Sequence, residues 1–323
     1  MAIDDLLAVL ADGEFHSGEA LGEQLGVSRA AVWKQLKKLE QLGVTLHSVK
    51  GRGYRLPDTL VLLDEERISA ALDPSVRRQL TSIQRSLILE STNATAMAES
   101  LRGDRHGCLY LAEQQTAGRG RRGRPWISPF GRNLYFSLCW TFSGGAAALE
   151  GLSLLVGLAV SQGLADMGIE DVQLKWPNDL LRQRRKLAGI LLEMSGDASG
   201  QCQVVIGVGI NVAMSKETAA AIDQPWCDLS DRAVPVDRNQ LLAAVLNRLL
   251  PGLQRFSREG FEPFRAAWMA RDAFAGESVV LSTPRHQIEG RCLGVDRSGA
   301  LLLQTEQGQQ AFHGGEVSLR GAP

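Results

Sequence analysis

At the start of the chain, apolar positions recur at helical spacing and then give way to short alternating runs. Ile3 to Leu10 is amphipathic and stops at Asp12-Gly13, and Ser17 is placed to cap a helix ending near Leu25-Gly26. Ser28 caps a longer helix in which Ala31, Leu36, Leu39 and Leu42 keep the spacing and which Gly43 closes. Two helices joined by the tight turn Leu25-Gly26-Val27-Ser28 predict a helix-turn-helix. Val44 to Val49 and Tyr54 to Leu56, flanking Lys50-Gly51-Arg52-Gly53, predict a hairpin or wing, with a domain boundary at Pro57-Asp58.

From about residue 83 the pattern becomes mixed. Strands are predicted at Ser86 to Leu89, Cys108 to Ala112, Asn133 to Thr141, Val172 to Trp176, Leu187 to Met194 and Val204 to Val212. Helices are predicted at Asn93 to Leu101, Ala147 to Met167, Leu241 to Phe256 and Phe261 to Arg271, the second of them apolar on most faces. Beyond 273 the runs Ser278 to Ser282, Gln287 to Val295, Ala300 to Thr305, Gln309 to His313 and Glu316 to Arg320 are short strands split by turns. The expected architecture is α+β: an N-terminal winged helix-turn-helix (1–60), a central mixed-sheet domain (61–272) and a small, SH3-like antiparallel β-barrel (273–323). Trp140 and Trp268 are expected in the core.

Composition narrows the class. With 44% hydrophobic residues in 323, the chain is an ordinary globular one. It lacks the roughly 18 uninterrupted apolar residues of a membrane span, and its N-terminus is acidic, so a cytoplasmic location and no membrane partner are expected. Cys108, Cys139, Cys202, Cys227 and Cys292 are scattered, without a CxxC pair or a histidine at ligand spacing; they read as reduced structural thiols, and no metal site is expected.

The net charge of −1 hides a segregation. Residues 1–27 hold six carboxylates and no Lys or Arg, whereas 28–55 carry Arg29, Lys34, Lys37, Lys38, Lys50, Arg52 and Arg55 against Glu40 alone. A second basic cluster, five arginines without an acid, occupies 119–132. Two separate anionic partners follow. For the first, DNA is the expected partner, with Ser28, Arg29, Trp33, Lys34 and Lys37 near base edges and Lys50 and Arg52 near phosphates; one such motif reads a half-site, so a dimer is expected.

The second cluster is Gly118-Arg119-Gly120-Arg121-Arg122-Gly123-Arg124-Pro125-Trp126. Its glycines let backbone N–H groups approach an anion, its arginines match carboxylate or phosphate, and Trp126 offers a plane for a base. A solvated basic loop or an RNA-binding tract has the same composition; a Walker A loop is excluded because its lysine and hydroxyl are missing. Lys175 closes an apolar strand at Lys175-Trp176-Pro177-Asn178-Asp179, either awaiting an anion or simply ending the strand. Glycines inside Gly207-Val208-Gly209-Ile210-Asn211 imply a close approach by ligand or backbone, and Asn211 is a candidate reader of a nucleobase. Ser91-Thr92-Asn93 lies at a strand-to-helix junction, where capping and binding of a polar ring are both open. In Lys186-Leu187-Ala188-Gly189-Ile190-Leu191 the glycine reads as packing.

Together with Gln114-Gln115-Thr116-Ala117 and Gly315-Glu316-Val317-Ser318-Leu319-Arg320, these segments resemble the biotin–protein ligase family in its bacterial bifunctional form, which also represses biotin synthesis. Lipoate ligases share that fold without the arginine-glycine loop. The resemblance implies a two-step reaction in which biotin and ATP, with Mg²⁺, give biotinyl-AMP, and a lysine of the biotin carboxyl carrier protein then takes the biotin. It implies that Ser91, Thr92, Asn93, Gln115, Arg119, Gly120, Arg121, Lys175, Gly207 and Gly209 line the biotin site, with Lys175, Arg119 and Arg121 as catalytic cations. Trp126, Asn211 and Arg320 fall to the adenylate. It further implies a homodimer on operator DNA when the adenylate is bound. Pro125 departs from the family's commonest basic or polar residue.

Overall fold

Leu6, Leu7 and Leu10 share one face of α1 (Ile3–Leu10) and are fully buried with Leu21 of α2 (Gly18–Gln24) and Val32 and Leu39 of α3 (Arg29–Gln41). The computed structural model describes residues 3–41, 44–56, 60–196, 200–214, 220–282, 287–313 and 318–321. They fall into two compact units, residues 1–63 with 129–131, and residues 64–128 with 132–323. In the first, Ser17 Oγ accepts the Ala20 N–H at 3.0 Å and Ser28 Oγ that of Ala31 at 3.2 Å, so both caps form as expected. The wing is β1 (His47–Val49) paired with β2 (Gly53–Arg55). Arg52 and Arg55 stack on the ring of Phe15, 4.4 and 5.0 Å from its centroid. The expected closing residue Gly43, with Leu42, and the boundary at Pro57-Asp58 lie outside the described residues.

The second unit opens with two short helices that periodicity did not reveal, α4 (Glu65–Ala71) and α5 (Pro74–Arg77). Its body is a seven-stranded sheet in the order β3-β4-β5-β9-β8-β7-β6. The strands are β3 (Ser82–Leu89), β4 (Cys108–Gln115), β5 (Leu134–Ser143), β6 (Val172–Lys175), β7 (Asp179–Arg182), β8 (Arg185–Gly196) and β9 (Gln201–Ile210). Among the described residues only the pair β3 with β4 is parallel, so the sheet is mixed as predicted. Helix α6 (Thr92–Ser100) leads from β3 to β4, and α7 (Leu152–Asp166) is buried on most faces. Against α7 lies α8 (Arg238–Glu259), where Gly163 is needed: a Cβ there would sit 2.7 Å from Val245 Cα. Helix α9 (Glu262–Met269) buries Trp268 at 1% exposure, and Trp140 on β5 is buried too.

The C-terminal strands correct an expectation. β10 (Ser278–Ser282), β11 (Gln287–Val295), β12 (Leu301–Thr305), β13 (Gly308–Phe312) and β14 (Ser318–Gly321) form an antiparallel sheet in the order β13-β12-β11-β10-β14. Among the described residues no ladder joins β13 to β14, so the sheet is open and the SH3-like barrel is not formed. Local alternation and turns specify strands; closure depends on tilt and stagger between strands distant in sequence, which alternation does not encode. All five cysteines are free and buried. Burial pushes the Cys139 thiol up to about 11 and that of Cys292 to about 12, as befits structural thiols.

Candidate active site

A cavity of about 660 Å³ opens in the second unit. Its floor is a hydrogen-bonded cluster set by the junction of β3 with α6. Ser91 leaves β3 extended and caps α6, its Oγ accepting the Ala94 N–H at 3.4 Å. Thr92 donates its N–H and Oγ1–H to Gln115 Oε1 at 2.8 and 3.2 Å. Ser137 of β5 lies 2.8 Å from Thr92 Oγ1 and 2.5 Å from Asn93 Oδ1. Asn93 in turn donates to Glu193 at 2.8 Å and to the Leu191 carbonyl at 3.3 Å. Gly207 makes room for it, since a Cβ there would stand 2.0 Å from Asn93 Oδ1. Capping and lining are therefore not alternatives for Ser91-Thr92-Asn93, which do both.

The arginine-glycine loop is a small hairpin. Trp126 N–H donates to Gly118 O at 2.8 Å, Arg119 bridges to Pro125, and Gly120 N–H donates to Arg124 O at 2.7 Å. The tip, Arg121 to Gly123, is one 3-10 turn that needs left-handed backbone at Arg122 (φ 58°) and Gly123 (φ 69°). Pro125 costs the hairpin nothing, because an extended strand edge tolerates a missing N–H. Trp126 closes it over β8 and β9: a Cβ at Gly209 would lie 2.5 Å from the indole, and at Gly189 3.1 Å. The glycine of Lys-Leu-Ala-Gly-Ile is thus a packing glycine, as read, and what it packs on is the cavity's own tryptophan. Trp126 Nε1 is buried with no partner among the described residues, which suits a ligand acceptor.

Between floor and hairpin the cavity is cationic. Arg119, Arg121, Arg122, Arg124, Lys175, Arg184 and Lys186 line it with Asp179 and Asp223. Asp179 sits between two ammonium groups, 2.7 Å from Lys186 Nζ and 4.0 Å from Lys175 Nζ. Arg119 pairs with Glu193 at 2.8 Å. Arg121 donates to Asn178 Oδ1 at 3.1 Å; burial pushes its guanidinium below the ordinary value, against the pull of the Asp179 carboxylate. Lys186 Nζ stands 5.5 Å from the centre of the Trp126 ring. A neutral polar floor, an indole plane and surplus positive charge suit a ligand with a polar ring and an anionic end.

Every sequence-predicted ligand residue except two lines this cavity. Asn211 does not: it is 4% exposed, and its amide nitrogen donates to the carbonyls of Cys227 (3.1 Å) and Lys186 (3.4 Å), so it joins cavity walls to each other. The side chain of Arg320 lies outside the described residues, as do Gly315 to Val317. Lys186, Glu193 and the stretch Ala221 to Pro225 were not singled out from the sequence. For Glu193 the signal was present, a charge within the apolar run Leu187 to Met194, the argument applied to Lys175; Lys186 follows Arg184 and Arg185 and gave no such signal. On the first unit, Ser28, Arg29, Trp33, Lys34 and Lys37 are all exposed along α3, with Trp33 at 56%, and Lys50 and Arg52 are exposed on the wing. Positions 29, 33 and 37 are four apart and share one helix face.

Sequence models of known families match three stretches: an HTH domain at residues 3–55, the Biotin/lipoate A/B protein ligase family at 87–211, and the Biotin protein ligase C terminal domain at 274–320. The chain is 43% identical over 317 residues to the bifunctional ligase/repressor BirA of Salmonella typhimurium, covering 98% of this chain and 97% of that one. To the Escherichia coli protein of the same name it is 42% identical with the same coverage. Among solved structures, the biotin protein ligase of Aquifex aeolicus in complex with biotin and ATP matches 75% of this chain and 100% of its own at 30% identity, with a TM-score of 0.64. Identity at this level over nearly the full length of both chains means that this protein belongs to the BirA family of bifunctional biotin–protein ligases and repressors.

Proposed function

We propose that this chain activates biotin with ATP to biotinyl-AMP, transfers the biotin to a lysine of the biotin carboxyl carrier protein, and, as a homodimer carrying the adenylate, represses biotin synthesis from operator DNA. The observation that carries the catalytic half is the bonded floor of Ser91, Thr92, Asn93 and Gln115 beneath a cationic mouth. The floor accommodates the polar ureido ring, and the mouth gathers the carboxylate and the phosphates. A carboxylate attacks a polyanion slowly unless fixed cations hold both and stabilise the crowded α-phosphate; Lys175, Arg119 and Arg121 serve here, joined by Lys186. The new bond runs from the biotin carboxylate oxygen to the α-phosphorus, and pyrophosphate leaves. In the second step the carrier's lysine, as a free amine, attacks the carboxyl carbon and AMP leaves. Arg119 and Arg121 reach this centre only by giving up Glu193 and Asn178, so ligand binding re-pairs the hairpin. Trp126 packs on the adenylate and offers it Nε1–H. Mg²⁺ enters with the nucleotide as part of the substrate.

On the first unit, α3 and its cap Ser28 present Ser28, Arg29, Trp33, Lys34 and Lys37 to base edges, while Lys50 and Arg52 meet phosphates. The Phe15 ring under Arg52 pre-orders that arginine. Cytoplasmic placement fits substrates that are intracellular, and no helix among the described residues is long and apolar enough to cross a membrane. Incubation with ATP, biotin and a carrier domain is expected to label one carrier lysine, and gel shift with operator DNA is expected to tighten on adding biotinyl-AMP. Biotin bound without turnover would leave a repressor alone; no shift with or without adenylate would remove the DNA-binding role.

A further inference from the structure

Two chain segments complete the cavity from outside the sheet, the hairpin 118–126 and the stretch 221–225, and both are tied to one side chain behind the site. Asn133, fully buried just ahead of β5, accepts the Val212 N–H at 2.9 Å and the Ala213 N–H at 3.4 Å on its Oδ1. Val212 O then accepts from Leu229 N–H at 3.1 Å, and Cys227 N–H donates to Lys186 O at 2.9 Å, whose own N–H donates to Pro225 O at 3.0 Å. That series fixes the strand carrying Lys186 and the adjoining wall. In the other direction the buried Tyr135 hydroxyl is flanked by Asn133 and Ser128. Ser128 Oγ donates to Trp126 O at 2.9 Å and accepts from Gln115 Nε2 at 3.1 Å, which sets the hairpin's foot.

Asn133 is itself clamped. Arg238 of α8 donates to its carbonyl at 3.0 Å and pairs at 2.7 Å with Glu113, the two side chains being 5% and 0% exposed. A buried pair of this kind recovers its desolvation cost only in a fixed geometry, and what it fixes here is the backbone of Asn133. None of these three residues lines the cavity.

We infer that Asn133, held by the Arg238–Glu113 pair, is a positioning residue for the adenylate: it keeps the foot of the arginine hairpin and the Lys186-bearing wall in register, so that neither cover shifts alone. This rests on the biotinyl-AMP reading above. The test uses the full-length chain, loaded with biotinyl-AMP made in place, and follows release after dilution. Asn133→Ala is expected to release the adenylate about tenfold faster and to raise KM for ATP comparably, the loss due to one buried acceptor. Its kcat for transfer at saturating adenylate should stay within about twofold of wild type, a split that general destabilisation does not produce. Asn133→Asp keeps the acceptor and should remain within about threefold of wild type; Arg238→Lys, which keeps the charge against Glu113 but loses the fork, should speed release about threefold. Release at the wild-type rate in both Asn133→Ala and Arg238→Lys, or equal acceleration in Asn133→Ala and Asn133→Asp, overturns the inference. Should Asn133→Ala fail to fold, Arg238→Lys decides alone. A wild type that makes no adenylate at all overturns the functional reading itself, a distinct result.

Discussion

Asn93 and Arg121 line the same cavity and are built into it in opposite ways. Asn93 is 4% exposed, its oxygen met by Ser137 and its nitrogen by Glu193 and Leu191. Arg121 stands at the tip of a hairpin whose stem is a few backbone bonds, and its guanidinium meets Asn178. A floor bonded before ligand arrives costs little ordering on binding and fixes which ring fits. A hairpin whose arginines are held by one charge pair and one amide contact adds little specificity, yet those arginines are free to re-pair with an entering anion. Under the proposed function, selection falls to the floor and retention to the hairpin.

Breaking the cationic centre should have the largest effect. Lys175→Ala is expected to lower biotin-dependent ATP–pyrophosphate exchange by about a hundredfold or more, the scale of losing one preorganised charge, with circular dichroism unchanged. Breaking the floor comes next: Asn93→Ala takes one buried partner each from Glu193 and Ser137, which keep Arg119 and Thr92, so KM for biotin should rise at least about tenfold and stability should fall by about 1–3 kcal/mol. A melt unchanged in that variant would show that the floor is not the bonded unit described. Removing the hairpin's tip sharpens the contrast from the other side. Arg121→Gly should leave stability within about 0.5 kcal/mol of wild type while the adenylate escapes about tenfold faster and labels bystander lysines; retention as long as wild type would count against the hairpin as a cover.

The smallest effect belongs to the frame. Arg248 of α8 donates to Asp166 of α7 at 2.6 Å and holds its carboxyl below the ordinary 3.8. A depressed carboxylate contributes stability that is fully present above 3.8 and is lost as pH falls through the lowered folded value. Because the pair is 50% and 38% exposed, Asp166→Asn should cost less than about 1 kcal/mol at neutral pH. The difference in Tm from wild type should close as pH drops below 3.8, with exchange activity unaffected throughout.

The same contrast explains what could be read from the chain. Lys175 and the hairpin were legible because each puts an unusual residue type where local pattern expects another, whereas Ser91-Thr92-Asn93 was legible as a helix start with a binding role left open beside the cap. Glu193 carried the same signal inside β8 and Lys186 was masked by the neighbouring Arg184 and Arg185; their partners come from 74 and 7 residues away, at Arg119 and Asp179, and only the sheet brings them together. Asn211 was legible as special, but the carbonyls that its amide nitrogen serves are ones that no spacing rule locates. Helices α4 and α5, too short for periodicity to reveal, and β7, hidden behind the Pro177-Asn178 turn, were missed for the same local reason. Sheet closure at the C-terminus is non-local altogether, and there alternation led to a barrel where the strands form an open sheet.

The central claim is that this cavity makes biotinyl-AMP, and pyrophosphate exchange in the purified full-length chain measures it most directly. Labelled pyrophosphate should enter ATP only when biotin is present, and Lys175→Ala should cut that entry by about a hundredfold or more while the protein still melts cooperatively near the wild-type temperature. Exchange that proceeds without biotin, or that survives Lys175→Ala undiminished, would contradict it.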